Sequence, residues 1–241
     1  MNETLKKWLK KLSPFALSKN HRYDILTKKI LVKHCTPKSN CVDVGCHKGE
    51  ILDMFIETAP GGEHFAFEPI PVLFEKLKNK YARLKNCHIY NYAISNAEGQ
   101  TNFNHVISNR AYSGIKKRTY DRKEEKEETI TVTKKRLDDI ILKELKIDII
   151  KIDVEGGDLD VMQGAKNLIK RNRPFIIFEF GIGGSDIYGA TPSALYDLAK
   201  EIGYKISLLD SFIKNKEALT LNEFNEQYYK KTNYYFIAHP E

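Results

Sequence analysis

The 241 residues are 41% hydrophobic and 29% charged, with a formal net charge of +7 at pH 7, which argues for one globular domain with a sizeable core and against a disordered chain. The basic balance admits anionic small molecules, acidic membranes or nucleic acid as partners. Lysines alternate with acids, however, as in DRKEEKEE at 121–128, and no dense basic stripe with interleaved aromatics is present, which disfavours nucleic acid.

The chain opens with Leu5, Trp8, Leu9 and Leu12 at helical spacing, lysines on the other face and Pro14 as the stop. This helix is expected to dock on the parent domain or on a sister subunit of a homo-oligomer, the alternative being a membrane surface. A second helix is predicted over 22–33, so that residues 1–35 form an N-terminal helical cap on a main domain spanning 36–241. Cys35, Cys41, Cys46 and Cys87 form no C-x-x-C pair, and no stretch reaches the ~18 apolar residues of a spanning helix. The expectation is a cytoplasmic protein in a reducing compartment, with no leader and no transmembrane segment.

From residue 40 onward, apolar runs of strand length alternate with helical patterns. The runs are CVDVG, HFAFEP, CHIYNYAIS, DIIKIDVEG, PFIIFEF, KISLLD and YYFIAHP, and the helical patterns cover 71–84, 158–171 and 193–202. This order predicts an α/β fold with a doubly wound, mostly parallel sheet and helices on both faces. Between 100 and 136 the sequence turns polar and hairpin-like, predicting an insertion at about 102–128 whose charged part, 116–128, is expected to be mobile.

DVGCHKG at 43–49 reads as a buried strand breaking into a tight turn, where doubly wound sheets bind ligands. Gly45 and Gly49 lack the middle glycine of a nicotinamide fingerprint, which lets the backbone approach a pyrophosphate. Glu68, at the end of the next apolar run, is placed to accept hydrogen bonds from a ribose. Asp43, Gly45, Gly49 and Glu68 together indicate an adenosine-containing cofactor without choosing between an adenosyl and an NAD ligand.

DVGCHKGE, FAFEP, NYAIS, DIIKIDVEG and FIIFEFG follow one another in the order and spacing of the FkbM family of S-adenosylmethionine-dependent methyltransferases, which the chain resembles closely over residues 40–181 and more loosely beyond. IKIDVEG is the most specific element. The resemblance implies a Rossmann-like, seven-stranded class I methyltransferase fold and O-methylation of a sugar or natural-product hydroxyl. It also implies that Asp43, Gly45 and Gly49 hold the methionine end of S-adenosylmethionine, with Cys46 and Asp153 beside it, Glu68 the ribose and the backbone around Ala93 the adenine. Cys46 and His47 depart from the common DVGAN.G form; His47 is expected either to touch the cofactor carboxylate or to fill the helix start.

Asp153 and Glu155 alternate along a strand end, so they share a face only if Gly156-Gly157 turns the chain. Glu179 is a lone carboxylate inside an apolar run, and burying it unpaired is costly, so it should face the cleft. Methyl transfer to oxygen needs aligned reactants and a group that takes the hydroxyl proton. Asp153 is the first candidate for that base, with Glu179 and Glu155 beside it. The alternative is a divalent ion (Mg²⁺, Mn²⁺ or Fe²⁺) on Asp153, Glu179 and His105. Arg110, Tyr112, Ser113 and His105 are candidate acceptor contacts, or ordinary turn and loop residues. The expected acceptor is a sugar: nucleotide-linked, in a surface glycan or on a glycosylated metabolite. Competing functions are methylation of another small molecule or of nitrogen, and a non-catalytic adenosyl-cofactor or nucleic-acid-binding protein.

Overall fold

The computed structural model describes residues 18–120 and 125–241. The amphipathic helix expected over Leu5–Leu12 and positions 121–124 of the charged run lie outside them. β1 (Cys41–Val44) is buried at every position and lies between two parallel partners, β2 (His64–Phe67) and β7 (Ile149–Ile152). With β3 (Cys87–Tyr90), β8 (Phe175–Glu179), β9 (Tyr204–Leu208) and β10 (Tyr235–Pro240) they form the expected seven-stranded sheet, in the order β3-β2-β1-β7-β8-β10-β9. Only β10 runs antiparallel to its neighbours.

Helices cover both faces. On one face α1 (Lys19–His34) buries Tyr23, Leu26, Ile30 and Leu31 against Cys41, Ile149, Ile177 and Ile237 of the sheet, next to α2 (Glu50–Thr58). Thus the described part of the expected cap is one of the sheet's own covering helices. α3 (Pro71–Tyr81) follows β2 and packs against β3. The opposite face carries α5 (Asp158–Gly164), α6 (Lys166–Asn172), α7 (Pro192–Glu201) and α9 (Leu221–Tyr229), with the short α4 (Leu137–Ile140) and α8 (Leu209–Ile213) completing the helices among the described residues. The single helix predicted over 158–171 is broken at Ala165, where Gly164 packs directly on the Ser95 carbonyl.

CHIYNYAIS is two strands, not one. After β3 the chain leaves the main sheet, and β4 (Ala93–Ile94) joins a second sheet with β5 (Gly99–Val106) and β6 (Glu127–Lys135), in the order β4-β6-β5. β5 and β6 are the expected hairpin. The flanks of its charged run are tied down: Lys117 and Tyr120 bond Glu127, and Arg118 bonds Glu155.

Candidate active site

Strand register lines up the acids. Val44 pairs with both Phe67 and Ile152, and Ile152 pairs with Phe178. The next residue on each strand therefore stands abreast along the carboxyl edge, in the order Glu68, Gly45, Asp153, Glu179, at a strand spacing of about 4.8 Å. A Cβ on Gly45 would meet the Asp153 carbonyl oxygen at 1.8 Å, and its φ is +81°, so only glycine lets β1 leave the sheet here.

Three cavities open along this edge. The first, about 140 Å³, runs from Glu68 past Ile70, Ala93, Ile94 and Phe103 to Gly45 and Asp153. The second, about 390 Å³, is walled by Asp43, Cys46, His47, Lys151 and Asp153 under α1. The third, about 490 Å³, lies between Asp153, Glu155, Glu179 and Tyr235 and an outer wall of Lys19, Lys231 and Tyr234. Asp153 lines all three, and among the described residues no other does.

At the first cavity Glu68 is buried, its two oxygens accepting from the backbone N–H groups of His47 at 2.8 Å and Ile70 at 2.9 Å. Burial outweighs these bonds and pushes its pKa up to about 7. His47 holds a left-handed φ of 50°, which aims its N–H at Glu68 while its side chain borders the first two cavities. Asp43 is buried on β1 with Oδ2 unpartnered; burial raises its pKa to about 6 against the pull of the Lys151 charge and of a Cys46 hydrogen bond.

At the third cavity Glu155 takes a left-handed φ of 57°, and Gly156 packs so closely on Gly184 that a Cβ would lie 2.3 Å from its carbonyl carbon. This turn brings Glu155 to the side of Asp153 and Glu179, with one carboxylate oxygen from each within 4.8 Å of the others. Like charges so close require compensation. Lys151, buried on β7, donates to Asp153 Oδ2 at 3.1 Å, the Tyr235 hydroxyl donates to the same oxygen, and Arg118 pairs with Glu155. Burial opposes ionisation of Asp153, but Lys151 and hydrogen bonds from Glu179 and Tyr235 hold its pKa below the usual value. Burial and the Asp153 and Glu155 charges push Glu179 well up, while burial and Asp153 raise Glu155 to about 8 in spite of Arg118. Within the cluster the environment thus favours the charge on Asp153 over a charge on Glu179.

Asp43, Gly45, Cys46, His47, Glu68, Ala93, Asp153, Glu155 and Glu179 all border this cleft. Gly49 does not: its carbonyl accepts from the Tyr81 hydroxyl at 3.0 Å, which ties α2 to α3. His105 sits on the hairpin, its Nδ1 3.0 Å from Glu128 Oε1, and Glu155 takes the place expected for it beside Asp153 and Glu179. The expected acceptor contacts divide. Tyr112 borders the third cavity, but Arg110 and Ser113 border the first, and Ser113 Oγ accepts from the Val106 N–H to brace the hairpin. Lys151, Tyr235 and Arg118 border the cleft as well. Asp158 is fully buried, accepts from the Glu179 N–H at 3.2 Å, and has its pKa raised to about 7 by burial and the Asp153 charge. Lys151 carried a sequence signal, a lone cation inside an apolar strand, of the same kind as Glu179.

The donor set fits an adenosyl cofactor: an acid beside an apolar slot, a glycine turn, and an orphaned buried oxygen on Asp43 across from it. Comparison with known proteins points the same way. Residues 43–206 match the family described as the Methyltransferase FkbM domain. The 2-O-methyltransferase NoeI of Sinorhizobium fredii (strain NBRC 101917 / NGR234) is 26% identical over 156 residues, covering 60% of this chain and 64% of that one. The crystal structure of a methyltransferase FkbM from Methylobacillus flagellatus KT shares the fold with a TM-score of 0.53 at 15% identity, over 85% of this chain and 44% of that one. The alignments thus span less than two thirds of either relative.

Proposed function

The chain belongs to the FkbM family of methyltransferases, and on that footing we propose that it transfers a methyl group from S-adenosylmethionine to a sugar hydroxyl. The carrying observation is the place of Asp153, the one described residue shared by the two cavities suited to the cofactor and by the larger one beside them. S-adenosylmethionine, when bound, supplies a methyl group on a positively charged sulfur. Glu68 accepts from the ribose hydroxyls, the apolar slot at Ala93 and Ile94 takes the adenine, and Asp43, Gly45, Cys46 and His47 flank the methionine end.

In the third cavity the acceptor hydroxyl lies against Asp153. Lys151 and Tyr235 hold Oδ2, so Oδ1 would take the hydroxyl proton when the bound cofactor supplies its methyl group to the acceptor oxygen. S-adenosylhomocysteine and a methyl ether remain. Glu179, whose ionisation is disfavoured by burial and by the Asp153 charge, stands beside that base. Oxygen as the accepting atom agrees with the name of NoeI, a 2-O-methyltransferase.

A second reading has observational support: the grouping of Asp153, Glu155 and Glu179 suits a hard divalent ion such as Mg²⁺ or Mn²⁺. The ion pairs of Asp153 with Lys151 and of Glu155 with Arg118 offset two of the three carboxylates without one, which favours the metal-free base.

The test begins with calorimetry of S-adenosylhomocysteine and NAD. The protein is then incubated with S-adenosylmethionine and a panel of nucleotide sugars, sugar phosphates and neutral glycosides, and products are weighed for one added methyl. Tight NAD binding with no S-adenosylhomocysteine binding would overturn the methyltransferase reading. Full activity after EDTA treatment, at metal content near zero, removes the divalent ion.

A further inference from the structure

The 490 Å³ cavity has two ends of different chemistry, paired carboxyls at one and lysines without a carboxylate partner among the described residues at the other. Its inner wall carries Asp153, Glu155, Glu179 and Arg118, and its outer wall carries Lys19, Lys231 and Tyr234. Lys19 Nζ donates to the Lys231 carbonyl oxygen at 3.4 Å and stands 4.6 Å from the centre of the Tyr234 ring. Neither lysine pairs with a carboxylate among the described residues, whereas the adjacent Lys230 is neutralised by Glu226 at 3.2 Å. Burial, together with the nearby Arg22 charge, lowers the pKa of Lys19, as expected of a cation that lacks a counter-charge.

We propose that the acceptor is a phosphorylated sugar whose phosphate or pyrophosphate seats between Lys19 and Lys231, so that its glycosyl hydroxyl reaches Asp153. This rests on the methyltransferase reading and narrows its substrate class. Lysine ammonium groups are compact point charges suited to a phosphate's several oxygens. The inner-wall carboxyls accept hydroxyl hydrogen bonds, and the cations beside them, Lys151 and Arg118, are already paired with Asp153 and Glu155, so the cations left for a phosphate stand at the outer end. Tyr112, Tyr228 and Tyr234 line the wall between the two ends.

The test needs no knowledge of the true acceptor. The protein saturated with S-adenosylhomocysteine is titrated at low salt with inorganic pyrophosphate, UDP, glucose 1-phosphate, glucuronate and methyl glucoside. Saturable pyrophosphate binding is expected, weakened about tenfold in the Lys19→Ala, Lys231→Ala double variant by the loss of two exposed charge contacts. Affinity for S-adenosylhomocysteine should be the same in both proteins, which certifies the fold. UDP binding tighter than pyrophosphate assigns the phosphate to a nucleotide sugar, and equal binding by glucose 1-phosphate assigns it to a sugar phosphate. Three results overturn the proposal: no saturable pyrophosphate binding, binding that the double variant leaves unchanged, or binding of glucuronate in its place. In each of these the methyltransferase reading stands as long as S-adenosylhomocysteine binds; if it does not bind, both fall.

Discussion

Glu68 and Asp153 occupy equivalent places, each the first residue beyond a parallel strand, yet they are held by different parts of the chain. Glu68 rests on two backbone N–H groups supplied by nearby turns. Asp153 rests on side chains, Lys151 on its own strand and Tyr235 from 82 positions away, and Glu155 beside it depends on Arg118 from the hairpin. A backbone partner survives any substitution that keeps the turn, whereas a side-chain partner is lost with one residue. Under the proposed function the first acid would mark a preformed binding slot, and the second a charge that other residues tune for proton transfer.

The sharpest test of that division is Asp153→Asn, which keeps the shape and the hydrogen bond from Lys151 but removes the charge. Turnover should fall by about 10²- to 10⁴-fold, the range of a lost general base. Calorimetry should find S-adenosylhomocysteine affinity preserved, because Glu68 and its turns are untouched. Turnover close to that of the parent would move the proton acceptor to Glu155 and dissolve the contrast.

Glu68→Gln probes the other end. It should weaken S-adenosylhomocysteine by about 1.5–3 kcal/mol, the usual loss for a hydrogen bond to a charged acceptor. Ribose hydroxyls favour the ionised carboxylate, so ligand affinity of the parent should rise with pH through about 7, the free-state value, and level off above it. In the ligand-free protein the sign is opposite. A carboxyl whose folded pKa is raised stabilises the fold below its unfolded value of about 4.3, and that contribution is lost as pH rises through about 7. Urea midpoints should show this loss in the parent and less of it in the variant; a ligand affinity equally pH-dependent in both proteins would remove Glu68 from the ribose site.

The same division explains how much the sequence disclosed. The sheet was legible because buried parallel strands are continuous apolar runs, and their ends, Gly45, Glu68, Asp153 and Glu179, mark the ligand-facing edge whatever the register. The turn at Gly156-Gly157 was legible too, and with it the convergence of Asp153 and Glu155. Tyr235 was hidden because β10 enters antiparallel and sets it opposite Glu179, a pairing no local pattern encodes. Arg118 was hidden inside a charged run that reads as solvated until the hairpin folds back onto Glu155. Gly49, by contrast, stands apart from the three cavities, with the space beside its Cα taken by Tyr81. The break between β3 and β4 had no marker, since Asn91 and Tyr92 fit an edge strand as well as a crossing between sheets.

Arg118→Ala is the mildest intervention and separates the hairpin's part from that of the sheet. The Arg118–Glu155 pair has about a fifth of each side chain exposed, 19% for both, and the guanidinium lies 5.1 Å from the centre of the Tyr112 ring on the cavity wall. Solvent screening limits such a contact to about 1 kcal/mol, so the acceptor KM should rise only about fivefold. Glu155 would lose the one cation that lowers its pKa, already about 8, so its ionisation should move to higher pH, carrying with it any limb of the pH–rate profile that it sets. Arg118→Lys keeps the charge without the planar fork and should fall between the two. Affinity for S-adenosylhomocysteine should stay at the parent value in both variants, because the hairpin meets the cofactor side through Ser113 and Phe103 and not through Arg118. If cofactor affinity fell while the acceptor KM held, the hairpin would belong to the preformed slot, and the boundary between the two halves of the cleft would have to be drawn on the other side of Glu155.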